Sequence, residues 1–401
     1  MPVSWIDRLA VATASKANRR QLIGVSGAAA IAGLTAASAA ARQDATPTAM
    51  DHGPNPLLHA DGPISVRKNV ASLSSEEKAT YVNAVLALKQ KPSPWSPGLS
   101  VYDTFVAWHR DAFGCATMAA HMGPAFLPWH RVFLRLFELQ LQEVEPTATI
   151  PYWDWSVDNT PDAAVWGDDF MGGDGDPSQN YEVTSGPFQT GAWTIKIFDY
   201  GDLLRTPSIV RSFGQGKFNA KLPTPDEVEA VLSVSTYDSE PWNSMAHPTV
   251  SFRNALEGWR DCVDELCDPD SGMGPVCAGP HLMHNGVHLW IAGEHQLVHQ
   301  VLVDQEGADV PQAPEASATI DLIGTMAFNS SPNDPVFFQH HANIDRLWEE
   351  WIRRHGPMYA PVEGGPLGHN LNDLMWPYHH FGIDVSPAMT FDPEELGFRY
   401  E

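Results

Sequence analysis

The sequence predicts one mainly helical domain with long irregular loops and few short strands. Hydrophobic residues make up 43% of the 401-residue chain, which supplies a core without the need for dense disulfides. Several segments repeat apolar residues at the three- and four-residue spacing of a helix face. The 31 Gly and 33 Pro residues predict long irregular connections between these helices.

Six segments carry the helical pattern. The first starts at residue 72 and includes residues 74–77 (Ser-Ser-Glu-Glu), which resemble an N-terminal cap, and Pro146 is expected to stop the third. Residues 157–250 are rich in Gly, Pro, Asp and Ser and predict loops with short helices or strands. The six predicted helices cover residues 72–88, 102–113, 128–141, 251–260, 284–290 and 336–354.

The first 42 residues predict a twin-arginine-type signal peptide. Arg19 and Arg20 precede an apolar stretch rich in Ala and Gly, which ends at three alanines (39–41). A charged start, an apolar middle and a small-residue end are typical of a signal peptide rather than a membrane anchor. We therefore expect a secreted protein, exported by the twin-arginine route, with a flexible lead-in at 43–65 and one domain at 66–401.

The net charge of −25 limits the classes of partner. Nucleic acids and anionic membranes attract Lys and Arg, of which the chain has 24 against 49 Asp and Glu. No stretch after the signal is long and apolar enough to span a bilayer. We expect neither a nucleic-acid partner nor a membrane partner.

Three of the four cysteines, Cys262, Cys267 and Cys277, lie within sixteen residues of one another. An exported protein can form one disulfide among these three, and the sequence leaves the pairing open. Cys115 lies six residues before His121, and its state, as a free thiol, a disulfide partner or a thioether, also stays open.

Seventeen His residues are more than packing requires, and their positions suggest metal sites. His284 and His288 are four residues apart, so both imidazoles lie on one face of a predicted helix. One of the adjacent residues His340 and His341, on another predicted helix, can join them at the same ion. The alternative for His284 and His288 is an ordinary surface pair.

A second group of histidines surrounds a loop made by Gly123 and Pro124. His121 precedes the loop and His130 follows it, in the first turn of a predicted helix, so both can approach one ion. His109, on the preceding helix, can complete a three-His set. All-imidazole sites suit copper or zinc, and no thiolate or acidic ligand is needed.

These segments resemble the two copper-binding regions of type-3 copper proteins, the family of tyrosinases, catechol oxidases and haemocyanins. The run 121–131, which ends in Phe-Leu-Pro-Trp-His-Arg, fits the first copper pattern. The run 334–345, Asp-Pro-x-Phe-Phe-x-x-His-x-x-x-Asp, fits the second. The segment 151–155, Pro-Tyr-Trp-Asp-Trp, and the tail 398–400, Phe-Arg-Tyr, resemble further family sequences, the former from bacterial members.

The resemblance implies a central four-helix bundle that holds a dicopper site within residues 66–401. His340 is then a packing or supporting residue, and Asp334 or Asp345 is expected to orient a ligand ring. The implied ligands are His109, His121 and His130 for the first copper and His284, His288 and His341 for the second.

The resemblance also implies the reaction, which is the copper- and O2-dependent oxidation of monophenols and o-diphenols to o-quinones. A phenol has a pKa of about 10, so a nearby base helps it to bind copper. Glu257 and Asn285 resemble the family residues proposed to polarise a water that deprotonates a monophenol. Glu257 lies 27 residues before His284, farther than in compact bacterial members, because an insert with three cysteines intervenes.

Other proteins share parts of this pattern. A catechol oxidase or an o-aminophenol oxidase without monophenol activity has the same ligands, and so does an oxygen carrier of the haemocyanin type. A hydrolytic di-zinc enzyme is expected to have bridging carboxylates instead. We expect no C-terminal shielding domain after the 398–400 tail, and the resemblance therefore suggests a separate copper-delivery helper protein as a partner, beside small phenols and O2.

Overall fold

The computed structural model describes residues 63–114, 118–199, 206–215, 220–244, 246–258, 261–262, 277–278, 283–300 and 317–401. In these ranges, helices joined by long loops form the core and the strands are short, which confirms the predicted mainly helical fold. The predicted signal peptide, the lead-in as far as residue 62, Cys115 and Cys267 lie outside the described residues.

Seven α-helices and eight strands occur in the described part of the chain. The helices are α1 Ser75–Gln90, α2 Val101–Gly114, α3 Phe126–Gln142, α4 Pro225–Leu232, α5 Phe252–Glu257, α6 Met283–Ala292 and α7 Val336–His355. The strands are β1 Ser65–Arg67, β2 Gly175–Asp176, β3 Glu182–Val183, β4 Asp261–Cys262, β5 Cys277–Ala278, β6 Glu294–Gln300, β7 Ser317–Ile323 and β8 Phe398–Tyr400.

The predicted helices correspond to α1, α2, α3, α5, α6 and α7. Helix α1 begins with a capping box in which Ser74 and Glu77 each bond the other's backbone N–H, as the sequence predicted. Helix α3 begins at Phe126, two residues before Pro128. The helix tolerates this proline because backbone N–H groups of the first turn have no partner within the helix. Helix α4, within the predicted loop region, is capped in the same way by Thr224 and Glu227.

Helices α2, α3, α6 and α7 surround one apolar core, consistent with the expected four-helix bundle. Aromatic side chains fill the contact between α3 and α7, where Phe137 stacks on Phe338 with ring centroids 3.6 Å apart. The ring of Phe133 is also parallel to that of Phe338, with ring centroids 5.9 Å apart. Because α3 is buried along most of its length, residues on several of its faces meet protein rather than water.

A group of buried charged residues together with Tyr400, here called the ion network, joins the two ends of the described chain to the bundle. Strand β1 pairs in parallel with β8, and Arg67 of β1 binds Glu138 of α3 through two N–H groups at 3.1 Å. Asp345 of α7 accepts hydrogen bonds from Arg131 Nε at 2.5 Å and from Tyr400 Oη at 2.6 Å. The network consists of Arg67, Arg131, Arg135, Glu138, Asp345 and Tyr400.

The segment between α5 and α6 is described only in part. Strands β4 and β5 pair antiparallel, and their register sets the backbone of Cys262 opposite that of Cys277. The disulfide expected among the clustered cysteines stays a prediction. No helix in the described ranges combines the length and the apolar character needed to cross a membrane.

Candidate metal centre

Seven buried histidines meet between the four bundle helices. Helix α2, the following loop and helix α3 supply one group, and helices α6 and α7 supply the other. Within each group, one nitrogen from every imidazole lies within 4.8 Å of the others. The first group is His109, His121 and His130, and the second is His284, His288, His340 and His341.

The rings of the first group are arranged so that their nitrogens converge. Their centroids are 4.9 to 5.5 Å apart, and each pair of ring planes is inclined by 61° or more. The lone pair of an imidazole nitrogen lies in the plane of its ring, so rings that share one ion need planes that intersect at that ion. His109, His121 and His130 meet this condition and form the first triad.

The second group contains four imidazoles, and the geometry selects three of them. Nε2 of His341 lies 3.2 Å from Nε2 of His284 and 3.3 Å from Nε2 of His288. A tetrahedral ion with metal–nitrogen bonds of about 2.0–2.1 Å holds its ligands about 3.3 Å apart. The planes of these three rings cross at 62° to 72°.

His340 differs from the other three in its orientation. Its ring stacks on His284, with an interplanar angle of 20° and centroids 5.2 Å apart. Two stacked rings do not point their lone pairs at one ion. By this geometry the second triad is His284, His288 and His341, and His340 packs against it; that these residues bind copper stays a prediction.

The two triads are direct neighbours. The ring of His130 in the first triad stacks on that of His341 in the second, with centroids 4.2 Å apart and planes 14° apart. Phe337 stacks on His341 at 4.0 Å and meets His109 edge-on at 4.8 Å. The two candidate ion sites therefore share one apolar wall.

Hydrogen bonds fix the tautomer of most rings. Nδ1 of His109 bonds Asn329 O at 2.6 Å, and Nδ1 of His288 bonds Met326 O at 2.7 Å. A carbonyl accepts only from N–H, so Nε2 of each ring carries a lone pair directed inward. Among the residues that the structure describes, Nε2 of His109 has no hydrogen-bond partner, as expected of a nitrogen that binds an ion.

The same pattern holds for two further rings. Nδ1 of His130 bonds Phe126 O at 2.8 Å, and Nδ1 of His284 bonds the side-chain oxygen of Asn285 at 2.9 Å. Asn285 is thus placed against a ligand ring. The expectation that Asp334 or Asp345 orients a ring is wrong for the described contacts, because both carboxylates bind arginines instead.

His121 is held through its loop. Within the described residues, its Nδ1 has no hydrogen-bond partner. The next residue, Met122, has a positive φ of 61° and donates its backbone N–H to Glu257 Oε1 at 2.6 Å. Tyr237 donates to Pro124 O at 2.7 Å. Glu257 therefore lies beside the loop that carries His121, in spite of its distance along the sequence.

Two of the residues that hold the loop around His121 were not predicted from the sequence. Tyr237 lies in the loop region before α5, and His369, whose Nδ1 accepts from Ala125 N at 3.2 Å, lies after α7. Neither belongs to a helical repeat or to a motif. His369 is one of the many histidines of the chain, but no spacing relates it to the other sites.

Burial keeps the six triad imidazoles neutral. It lowers the pKa of His109 to about 3 and that of His288 to about 4. Burial also lowers the pKa of the other four rings well below the usual value, and neighbouring imidazoles add to this effect. A neutral imidazole is the form that binds a metal ion.

We expect the metal-free protein to lose stability as the pH falls below 6.5. In the unfolded chain these histidines bind protons near pH 6.5, while in the folded chain His109 and His288 stay neutral until about pH 3 and 4. The unfolded state therefore gains protons first, and each of these two groups lowers the free energy of unfolding by about 1.5 kcal/mol between pH 6.5 and pH 5.

Urea unfolding of the metal-free protein at pH 7.5, 6.5 and 5 tests this expectation. Asp199 and Glu349, whose pKa values burial raises, act in the opposite direction but are only two groups, whereas burial lowers the pKa of all seven clustered histidines, His340 included. A free energy of unfolding that stays constant from pH 6.5 to pH 5 would contradict the neutral, buried state of the triads.

Known proteins with similar sequences share this arrangement of segments. The family model described as the common central domain of tyrosinase matches residues 99–354. A tyrosinase of Streptomyces lincolnensis is 38% identical over 337 residues, which cover 82% of this chain and 96% of that protein. Grixazone synthase of Streptomyces griseus is 33% identical over 341 residues, which cover 79% of this chain and 94% of that protein.

A solved structure supports the fold independently. The polyphenol oxidase of Thermothelomyces thermophila superposes with a TM-score of 0.52 at 22% identity, over 84% of this chain and 89% of that chain. The matched family region contains both triads and all four bundle helices. From the family match and the identity to the Streptomyces proteins, we conclude that the chain belongs to the tyrosinase family.

Proposed function

We propose that this protein oxidises monophenols and o-diphenols to o-quinones with O2, using two copper ions. The observation that carries the proposal is the pair of neighbouring all-imidazole triads with inward nitrogens. In the net monophenol reaction, one O2 gives one o-quinone and one water. In the diphenol reaction, one O2 accepts electrons from two diphenols and leaves as two waters.

The donor set fits copper. Neutral imidazole ligands suit copper, and within the described residues no carboxylate or thiolate belongs to either group. We assign the first copper to His109, His121 and His130, and the second to His284, His288 and His341. When bound, a pair of cuprous ions supplies the two electrons that activate O2.

The protein contributes a rigid and dry environment. Phe337 lies between the triads, and Phe126 meets His130 and His284 edge-on, each with ring centroids 4.9 Å apart. Both phenylalanines are fully buried. They exclude water from the inner side of the imidazoles and hold the rings apart, so that the metal positions are set before metal binds.

Glu257 and Asn285 are proposed to prepare monophenols for the reaction. Glu257 bonds the backbone N–H of Met122, the residue after His121, and Asn285 bonds the ring of His284 itself. The Asn285 oxygen is occupied by His284, which leaves its amide N–H groups to donate to a water. Glu257 accepts from Met122 N and from Arg253 Nη1 at 2.7 Å, and as a carboxylate it is proposed to accept from the same water as well. Such a water takes up the phenolic proton.

Oxygen uptake by the copper-loaded protein tests the proposed function. Tyrosine, DOPA, catechol and o-aminophenol are compared at equal concentration. Uptake with tyrosine and DOPA supports the proposal, whereas uptake with catechol or o-aminophenol and none with tyrosine reveals an oxidase without monophenol activity. Reversible O2 binding without turnover of any substrate indicates a carrier. A purified protein that never takes up two copper ions per chain refutes the proposal.

Asn285→Asp is expected to lower monophenol oxidation relative to diphenol oxidation by about 10-fold. The new carboxylate still accepts from His284, so the metal site is kept, but the amide donor is lost. The expected effect is smaller than the 10²–10⁴ of a complete general base because Glu257 remains. Rates on tyrosine and DOPA measure the ratio, and thermal unfolding checks the fold.

Asn285→Ala serves as the matched control. It removes both the donor and the acceptor, so His284 loses its support and both activities should fall together. If Asn285→Asp leaves the ratio of the two activities unchanged, Asn285 has no part in handling the phenolic proton.

We also propose that residues 1–42 direct export through the twin-arginine route, followed by a lead-in at 43–65 and the catalytic domain at 66–401. Arg19 and Arg20 before the Ala- and Gly-rich stretch support this proposal. Replacing both arginines with lysine should retain the protein inside the cell. Continued secretion would indicate another route.

A separate helper protein that delivers copper is proposed as a partner. The support comes from the resemblance to bacterial members and from the burial of the six ligand histidines. Copper uptake from a buffered copper solution is the test. Full loading of the purified chain within minutes would make a helper unnecessary.

A further inference from the structure

One short segment, residues 326–330, supports a histidine of each triad. Met326 O accepts from His288 and Asn329 O accepts from His109. Because these carbonyls are three residues apart, the path of the segment sets the position of one ring on each side of the centre.

The two ends of this segment are anchored differently. At its start, Thr325 exchanges two hydrogen bonds with Val210, one from each backbone N–H, both 2.9 Å long. At its end, the carboxylate of Asp199 accepts from the backbone N–H groups of Asn329 and Ser330, both at 2.8 Å. Asp199 is 4% exposed, so these bonds are shielded from competition with water.

A second connection links the chain around Asp199 to His109. Arg110, the residue after His109, donates through Nη1 to Phe198 O at 3.2 Å. The segment before Asp199 also contacts the chain beyond Ser330, since Asn333 Nδ2 donates to Ile197 O at 2.7 Å. His109 on α2 is therefore tied to the chain around Asp199 twice, through Arg110 and through Asn329, whereas the Asn333 bond joins the two segments without reaching His109.

We propose that Asp199 is a positioning residue of the dicopper centre, which fixes the reach of His109 through Asn329. The carboxylate accepts two hydrogen bonds from consecutive N–H groups and holds Asn329 O against His109 Nδ1. The anchor at Thr325 holds the Met326 end independently, so the effect is confined to the first triad. This inference rests on the proposed role of His109 as a copper ligand.

Asp199→Asn and Asp199→Ala test the proposal through copper affinity, measured by competition with a chelator of known affinity. Asn keeps the size of the side chain and one acceptor oxygen. Its NH2 group, however, takes the place of the second carboxylate oxygen and, being a donor, cannot bond the backbone N–H that it faces. We expect one copper ion per chain to bind about 10–100-fold more weakly, the usual cost of removing an outer partner of a ligand, and the other to bind as before.

Combining Asp199→Asn with the loss of a ligand identifies the affected site. In a His288→Ala chain, which keeps only the first triad intact, Asp199→Asn should weaken binding of the remaining copper. In a His130→Ala chain, which keeps only the second triad intact, Asp199→Asn should have no effect. Equal weakening in both chains overturns the assignment to His109.

Asn333→Ala is the matched control. It removes a buried hydrogen bond between the same two chain segments without touching Asn329 or Ser330, and it should lower thermal stability while both copper affinities stay unchanged. If Asp199→Asn behaves in the same way, Asp199 is merely structural and the proposal is refuted. If the Ala variant does not fold, the Asn variant decides. If the unmodified chain binds no copper pair, the proposed function fails instead.

Discussion

Replacing His341 with Ala is expected to remove one of the two copper ions per chain and with it the oxidation of o-diphenols. His341 Nε2 lies within 3.3 Å of the ligand nitrogens of both other members of its triad. Because both ions act as one unit, we expect the rate to fall by on the order of 10³-fold or more, as for groups whose effects are not additive. Copper content and the rate on DOPA measure the two effects.

The adjacent residue provides the control. His340→Phe keeps a flat ring stacked on His284 and should retain both copper ions and most of the activity. His130→Ala and His288→Ala should behave like His341→Ala, since each removes one member of a triad. Loss of copper in His340→Phe together with full loading of His341→Ala would reverse the assignment of the pair.

The second large effect concerns stability. Asp345→Ala is expected to lower the free energy of unfolding by about 3–5 kcal/mol, the usual cost of removing one partner of a buried ion pair. Asp345 is 2% exposed and pairs with the fully buried side chains of Arg131 and Arg67. Without Asp345, the buried guanidinium of Arg131 loses its nearest carboxylate and keeps only the more distant one of Glu349, at 3.6 Å. The midpoint of urea unfolding in the metal-free protein measures the loss.

Asp154→Ala is a suitable comparison. Asp154 pairs with Arg346, also on α7, but the two side chains are 18% and 22% exposed. Partly hydrated pairs of this kind contribute about 0–1 kcal/mol. If the two variants shift the midpoint equally, burial does not govern the strength of these pairs. Asp345→Ala should also reduce copper affinity, because Arg131 follows His130 on α3.

The local pattern of the sequence determined the helices and most of the candidate ligands. Helical spacing placed His284 and His288 on one face of α6, and the structure brings their rings within 4.5 Å of each other. The loop at Gly123 and Pro124 predicted that His121 and His130 can approach one ion, and the structure brings their ring centroids to 4.9 Å from each other. These features depend on residues a few positions apart, whose geometry the helix repeat fixes.

The choice between His340 and His341 needed more than spacing. Adjacent residues on a helix point about 100° apart, so the sequence pattern alone admits either one. The resemblance to type-3 copper proteins selected His341. The structure gives a physical reason for this choice. The ring of His340 is stacked on that of His284, whereas the plane of the His341 ring crosses the plane of the His284 ring at 71°.

Only the tertiary structure decided which residues support the ligands. His109 is held by the carbonyl of Asn329, 220 residues away, and Glu257 reaches the N–H of Met122 across 135 residues. Either Asp334 or Asp345 was expected to orient a ligand ring. The packing of β1, β8 and α3 brings arginines and Tyr400 to Asp345 instead, and Asp334 binds Arg211. Such contacts depend on how helices cross and where loops return. A local periodicity contains no information about either, because it fixes only the face on which each side chain lies.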